Sequence, residues 1–240
     1  LMANNNELFQ VEIDDALLKF KNANYHETIK ILENLKKKLS HFIVHWYLGH
    51  SYFRIYDYSS AIDCIKKSIE LKGKDVLNLS FLAEIFLVSN NYNEAIKLFK
   101  EVLELDKKNI NSLFNLAKAY SDLGELKIAE NYYKEVIKND PTNIAAEYEL
   151  IKINNKYLTN DLLKKVEKKY TNEASNNFNS IFSKFIIAEN SKRKKDYKLE
   201  FDNLLEAHTL YLKKKEKAAK QEFNYFTNLL PKFISKVKNT

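Results

Sequence analysis

The chain has little of what builds loops, cross-links or catalytic clefts. Its 240 residues include 3 glycines, 2 prolines, 1 cysteine, 1 tryptophan and 1 methionine. So few glycines and prolines argue against short strands joined by tight turns and for long helices. A single cysteine, Cys64, excludes an internal disulfide and a thiolate metal cluster. With glycine only at 49, 73 and 124, no Gly-rich phosphate loop can be written. No apolar run approaches the roughly 20 residues that span a bilayer. The start, Leu1-Met2-Ala3-Asn4-Asn5-Asn6, is polar and lacks a charged segment followed by an apolar core, so no signal peptide is read. Together these features favour a cytoplasmic location. Arginine is nearly absent too, with only Arg54 and Arg193, which weakens any base-reading role on nucleic acid.

Hydrophobic residues make up 45% of the chain, ample for a continuous core. The net charge of +7 is uneven. Residues 151–240 hold 20 Lys+Arg against 10 Asp+Glu, whereas the first 150 hold 19 against 22. An electrostatic partner should therefore meet the C-terminal part first.

The most informative signal is internal repetition at a displacement of 34 residues. The stretch Asn91–Asp106 reads as an amphipathic helix entered by a polar turn. Asp57-Tyr58-Ser59-Ser60-Ala61-Ile62 stands one period before it and Glu125–Glu130 one period after. Leu48, Gly49, Tyr52, Tyr58, Ala61, Ile65 and Ser68 recur as Leu82, Ala83, Phe86, Tyr92, Ala95, Phe99 and Val102. They recur again as Leu116, Ala117, Tyr120, Leu126, Ala129, Tyr133 and Val136. The physical reading is a pair of packed helices. Small residues at Gly49, Ala83 and Ala117, and at Ala61, Ala95 and Ala129, let the two helices approach. The large residues at 52, 86 and 120 fill the space between pairs. Asp140-Pro141 ends the last of these helices.

This pattern resembles the tetratricopeptide repeat family. The resemblance is carried by Leu48-Gly49, Tyr52, Tyr58 and Ala61; by Leu82-Ala83, Phe86, Tyr92, Ala95 and Phe99; and by Leu116-Ala117, Tyr120, Gly124, Ala129, Tyr133 and Pro141. It implies an all-α, right-handed superhelical solenoid of about six antiparallel helix pairs with a C-terminal capping helix. The whole of 1–240 reads as one solenoid, with clear repeats at 42–75, 76–109 and 110–143. Divergent repeats follow the pattern at 9–41, 144–180 and 181–214, and the capping helix spans 213–230. Residues 1–10 are expected to be frayed or weakly helical, and 171–180 a polar loop. Ile151, where a small residue stood in earlier repeats, puts close packing there in doubt.

In the family the concave groove is lined by the first helix of each pair. The resemblance thus implies a groove with Trp46, Ser80, Phe114, Tyr148 and Phe185 on its floor. One turn on stand His50, Glu84, Lys118, Lys152 and Glu189, with Arg54 a turn beyond His50. The implied function is a non-catalytic scaffold that holds a protein or peptide segment; packing of those aromatics between adjacent pairs is the alternative. The family's Lys/Asn/Arg set for gripping a peptide C-terminus is not matched.

Other chemistry is sparse. His41 and His45 stand at i, i+4 but lack a third ligand, so no metal or other cofactor is expected. Cys64 reads as a small packing residue. Lys192-Arg193-Lys194-Lys195 and Lys213-Lys214-Lys215 with Lys217 read as solvated helix ends, or as a nucleic-acid or anionic-surface contact. A further resemblance covers Asp196-Tyr197, Leu204–Ala207 and Phe223–Phe226. It is to the repeat region preceding the catalytic domain of bacterial tetratricopeptide-repeat sulfotransferases, and it implies a non-catalytic part of a longer enzyme. No catalytic constellation is read in these residues.

Overall fold

The computed structural model describes residues 2–170 and 178–224, and side chains within 9–168 and 178–212. Twelve α-helices and one 3-10 turn, with no strand, make up these described residues. They are α1 (Met2–Lys21), α2 (Tyr25–Lys36), α3 (Phe42–Arg54), α4 (Tyr58–Lys72), α5 (Val76–Val88) and α6 (Tyr92–Leu105). These are followed by α7 (Ile110–Asp122), α8 (Leu126–Asn139), α9 (Ile144–Ile153), the 3-10 turn Asn155–Tyr157, α10 (Asn160–Tyr170), α11 (Phe178–Arg193) and α12 (Tyr197–Asn224). The chain divides into two compact units, residues 1–135 and 136–240.

Local chemistry sets the helix starts. The side-chain oxygens of Asp57, Asp75, Asn109, Asn143 and Asp196 accept hydrogen bonds from the backbone N–H of Ser60, Asn78, Ser112, Ala146 and Leu199. Each bond satisfies a donor that the first helical turn leaves free, and contributes about 1 kcal/mol.

The stops recur as well. Tyr56, Asn90 and Gly124 have φ of 65°, 61° and 81°, and Ala23 and Lys195 have φ of 57° and 61°. At each position the next residue's N–H reaches back to a carbonyl in the preceding helix. Asp57 donates to Tyr52 at 3.0 Å, Asn91 to Phe86 at 2.8 Å, Glu125 to Tyr120 at 2.9 Å and Asp196 to Ser191 at 2.9 Å. This left-handed residue ends the first helix and turns the chain into the second. Only Gly124 adopts that conformation without a side-chain cost.

In the first unit, buried side chains form clusters that each link neighbouring helices. Ala16, Leu32, Leu35, Val44, Leu48 and Cys64 join α1 through α4. Ala61, Ile65, Phe81, Leu82 and Ile85 join α4 to α5. Ala83, Ala95, Ile96, Phe99, Leu116 and Ala119 join α5, α6 and α7. The small residues act as their spacing predicts. Gly49 lies so close to α4 that a Cβ there would meet Ile65 Cδ1 at 2.5 Å and the Ala61 carbonyl oxygen at 3.3 Å. Ala61, Ala83, Ala95, Ala117 and Ala129 are completely buried. The Tyr52 hydroxyl, between pairs, donates to Glu33 at 3.1 Å and ties α3 to α2.

The second unit is built on Ile144, Ile151, Leu158, Leu162, Leu163, Val166 and Ile186 from α9, α10 and α11. Ile151 is buried there despite its size, within a helix of only 10 residues that the 3-10 turn follows. α11 pairs with α12.

Residues 2–10 are helical, one of the two forms expected for this stretch. One local expectation changes. The second helix of the last pair and the described part of the capping segment, 213–224, form one helix of 28 residues. No glycine or proline lies between Tyr197 and Asn224, so nothing in the backbone breaks it. Most of the polar loop, 171–177, and the end of the capping segment, 225–230, lie outside the described residues.

Substituting Ala23→Gly is expected to stabilise the protein by about 1 kcal/mol, and Gly124→Ala to destabilise it by a similar amount. Equilibrium urea unfolding followed by circular dichroism measures both. The usual opposite signs of these substitutions within helices would contradict the assigned backbone.

Candidate functional site

The residues expected to line a groove fall on both units. On the first unit, α3 supplies Trp46, His50 and Arg54, α5 supplies Ser80 and Glu84, and α7 supplies Phe114 and Lys118. The structure brings Trp46 and His50 together through Phe81 of α5. The His50 ring is stacked on Phe81, with centroids 3.7 Å apart and planes 3° from parallel. Trp46 meets both edge-on, at 4.4 Å from His50 and 5.6 Å from Phe81. Trp46 thus stands half-buried against the α4–α5 cluster. Phe114 is also half-buried, edge-on to the buried Tyr133 ring at 5.4 Å. These rings serve the seam between pairs and remain partly exposed.

The polar residues expected in the groove are more open. Arg54, Glu84 and Lys118 are exposed. The Lys118 ammonium pairs with Asp122 one turn on at 3.1 Å. Desolvation raises the Glu84 carboxyl above its ordinary range, and the Arg54 guanidinium pulls it down. Burial, then the charge of Arg54, hold His50 well below its usual value, at about 4. Its Nε2 is buried with no hydrogen-bond partner, as befits a neutral ring packed between aromatics.

On the second unit, Tyr148 of α9 stacks on Phe185 of α11 at 5.4 Å, and also meets Phe182 at 5.8 Å. Phe185 in turn meets His208 of α12 at 5.3 Å. Lys152 lies over the Tyr148 ring at 5.7 Å and pairs with Glu149 at 2.9 Å. Desolvation, with Glu189 and Glu149 nearby, pushes the Tyr148 phenol up, and Lys152 opposes them.

His41, His45 and the cysteine have structural places. His41 Nδ1 caps α3 by accepting the Ile43 N–H at 3.3 Å, and His45 is buried. Burial pushes the Cys64 thiol up to about 11, as suits a packing residue. Among the described residues, no group of three or more His, Cys, Asp or Glu is placed to hold a metal ion. No helix among them is long and apolar enough to cross a membrane.

Phe81 is the contact that sequence reading missed. It falls one period after Tyr47 and immediately before the Leu82-Ala83 marker, so its helix and its aromatic character were both available in the sequence.

Helix pairs with small residues at the crossing in the first unit, and left-handed turns inside every pair but α9–α10, define an α-helical repeat protein. Residues 86–148 match the family model described as "Tetratricopeptide repeat". The matched stretch takes in the marker residues Phe86, Tyr92, Ala95, Phe99, Leu116, Ala117, Tyr120, Ala129 and Tyr133, on which the resemblance to that family rests. The structure is similar to Pseudomonas aeruginosa PilF, with a TM-score of 0.62 and 14% identity over 91% of this chain and 98% of that one. It is similar also to MamA from Desulfovibrio magneticus RS-1, with a TM-score of 0.56 and 13% identity over 85% and 94%. At these identities the likeness is one of fold. No curated protein sequence matches the chain.

His50 predicts a pH signature. Its folded value of about 4 lies below the unfolded 6.5, so between these the unfolded chain binds more protons and stability falls as pH drops. The loss should approach on the order of 2–3 kcal/mol by pH 4. In His50→Phe, which keeps a ring on Phe81, urea unfolding at pH 7.5 and 4.5 should differ less than in the parent. Equal pH dependence of the two proteins would remove the assignment.

Proposed function

We propose that the chain is a non-catalytic protein–protein interaction scaffold that holds a segment of a protein partner against the first helices of its repeats. The observation that carries this reading is the division of labour on α3, α5 and α7. Half-buried Trp46 and Phe114 form an apolar floor, and exposed Arg54, Glu84 and Lys118 stand over it in mixed charge. A surface so arranged offers aromatic anchors that are already ordered, ringed by polar groups that set register. Tyr148, Lys152 and Phe185 form a second such stretch on α9 and α11. Repeats 42–75, 76–109 and 110–143, and the divergent ones at 9–41, 144–180 and 181–214, are the units of this scaffold.

A cytoplasmic place belongs to the same reading. The one cysteine is buried as a thiol within the α1–α4 core, so these residues need no oxidising compartment.

The reading is tested by affinity capture with the full-length protein. Arg54→Glu with Lys118→Glu should abolish retention of proteins held by the parent, and leave thermal unfolding within about 0.5 kcal/mol, because both side chains are exposed. Trp46→Ala and Phe114→Ala should each weaken capture, with helical circular dichroism retained. An unchanged set of captured proteins in all three variants would refute the groove.

A further inference from the structure

The outward face of α12 carries an apolar stripe. Tyr197, Phe201, Leu205 and Leu212 are 67%, 64%, 56% and 66% exposed. Their spacing places them on one side of the helix, next to the face that Asn203 and Ala207 bury against α11. In the earlier repeats this same side is covered. Asp196-Tyr197 stands where Asp57-Tyr58 and Asn91-Tyr92 open α4 and α6. Phe201 therefore corresponds to Ile62 and Ile96, and Leu205 to Lys66 and Lys100. Ile62 packs in the cluster that α5 completes with Phe81, Leu82 and Ile85. Ile96 is buried with Leu116 and Ala119 of α7. Lys66 lies over Phe86 of α5, and Lys100 over Tyr120 of α7, each 5.7 Å from the ring centroid. Both positions thus meet the first helix of the following repeat. In α12 they are apolar and open, and α11 is the neighbour with which this helix pairs among those described.

The surrounding charge narrows what can sit there. Lys192, Arg193, Lys194, Lys195 and Lys198 are exposed at the start of α12, and Lys198 borders the stripe. The carboxylates nearby are largely occupied or turned aside. Asp196 caps the helix through Leu199 N–H at 3.1 Å, and Glu206 pairs with Lys184 at 2.6 Å. Asp202 lies further round the helix, and Glu200 on the α11 side. A second copy of α12 brings the same basic end rather than the complementary charge, so like charges disfavour self-association. A flat bilayer does not reproduce the covering seen on α4 and α6; a helix does.

We infer that the Tyr197–Leu212 face of α12 receives an amphipathic helix of another protein, acidic at its flanks. That helix adds to α12 as α7 adds to α6. The site is separate from the groove on α3, α5 and α7, and its mode is helix addition rather than capture of a segment along the first helices.

The test uses the full-length chain and two labelled synthetic helical peptides sharing one Leu/Phe face, flanked by glutamates in one and by lysines in the other. Fluorescence anisotropy should show the glutamate-flanked peptide binding at least tenfold tighter. Phe201→Asp should weaken it at least tenfold with the circular dichroism melt unchanged, and Lys194→Glu with Lys198→Glu should reverse the preference. Binding of neither peptide, or of both equally, overturns the inference. So does binding that Trp46→Ala removes and Phe201→Asp does not, which would place the peptide in the groove. A dimer in sedimentation that Phe201→Asp dissolves would assign the face to a second copy and likewise overturn it. Phe201-dependent pelleting with phosphatidylserine vesicles would do so for a membrane.

Discussion

The close approach of two helices at a residue without a side chain is the constraint on which the repeat architecture rests. Gly49 brings α3 against Ile65 and the Ala61 carbonyl of α4 at distances no larger residue would tolerate. Alanines at 83, 95, 117 and 129 serve the same end with one carbon more. Once the helices of a pair touch at that point, their other side chains have defined places. Large residues at 52, 86 and 120 must fill the gap to the neighbouring pair, and the left-handed turn must fall one helix length away. The crossing therefore sets the repeat length as well as the packing.

The proposed binding surface and the structural seam would be made of the same rings. Trp46 and His50 lean on Phe81, and Phe114 on Tyr133, so each first helix is held by aromatics whose other face remains open. A floor of the proposed kind would be ordered before any partner arrives, and its charge adjustable without loss of fold, because Arg54, Glu84 and Lys118 are exposed.

Much of this was legible before any coordinates. The 34-residue displacement, the alanines and glycine at the crossings, and the Asp and Asn caps each answer a local physical demand and so leave a local mark. The left-handed turn was legible at Gly124 and, since asparagine tolerates that region, at Asn90; at Tyr56 the tertiary frame overrides residue preference. Whether Trp46 faced a partner or a neighbouring helix could not be read, since helical spacing fixes a side and not what lies against it. The single helix over 197–224 was missed for a simpler reason. A boundary was assumed where repeat length suggested one, although no residue there stops a helix. The open stripe on α12 was equally hidden, because by spacing alone Phe201 and Leu205 look like core residues.

The chain of clusters in the first unit has a kinetic consequence. Each cluster joins helices adjacent in sequence, and helices α1 to α7 meet chiefly their immediate neighbours. Closing such contacts costs little loop entropy, so any helix pair can nucleate and recruit the next. Within this unit the terminal helix α1 has neighbours on one side only, whereas α4 and α5 have them on both. Opening should therefore begin at the outer helices and move inward. The unit then behaves as a row of coupled segments, with its longest-lived amide protons at the α4–α5 seam that supports Trp46.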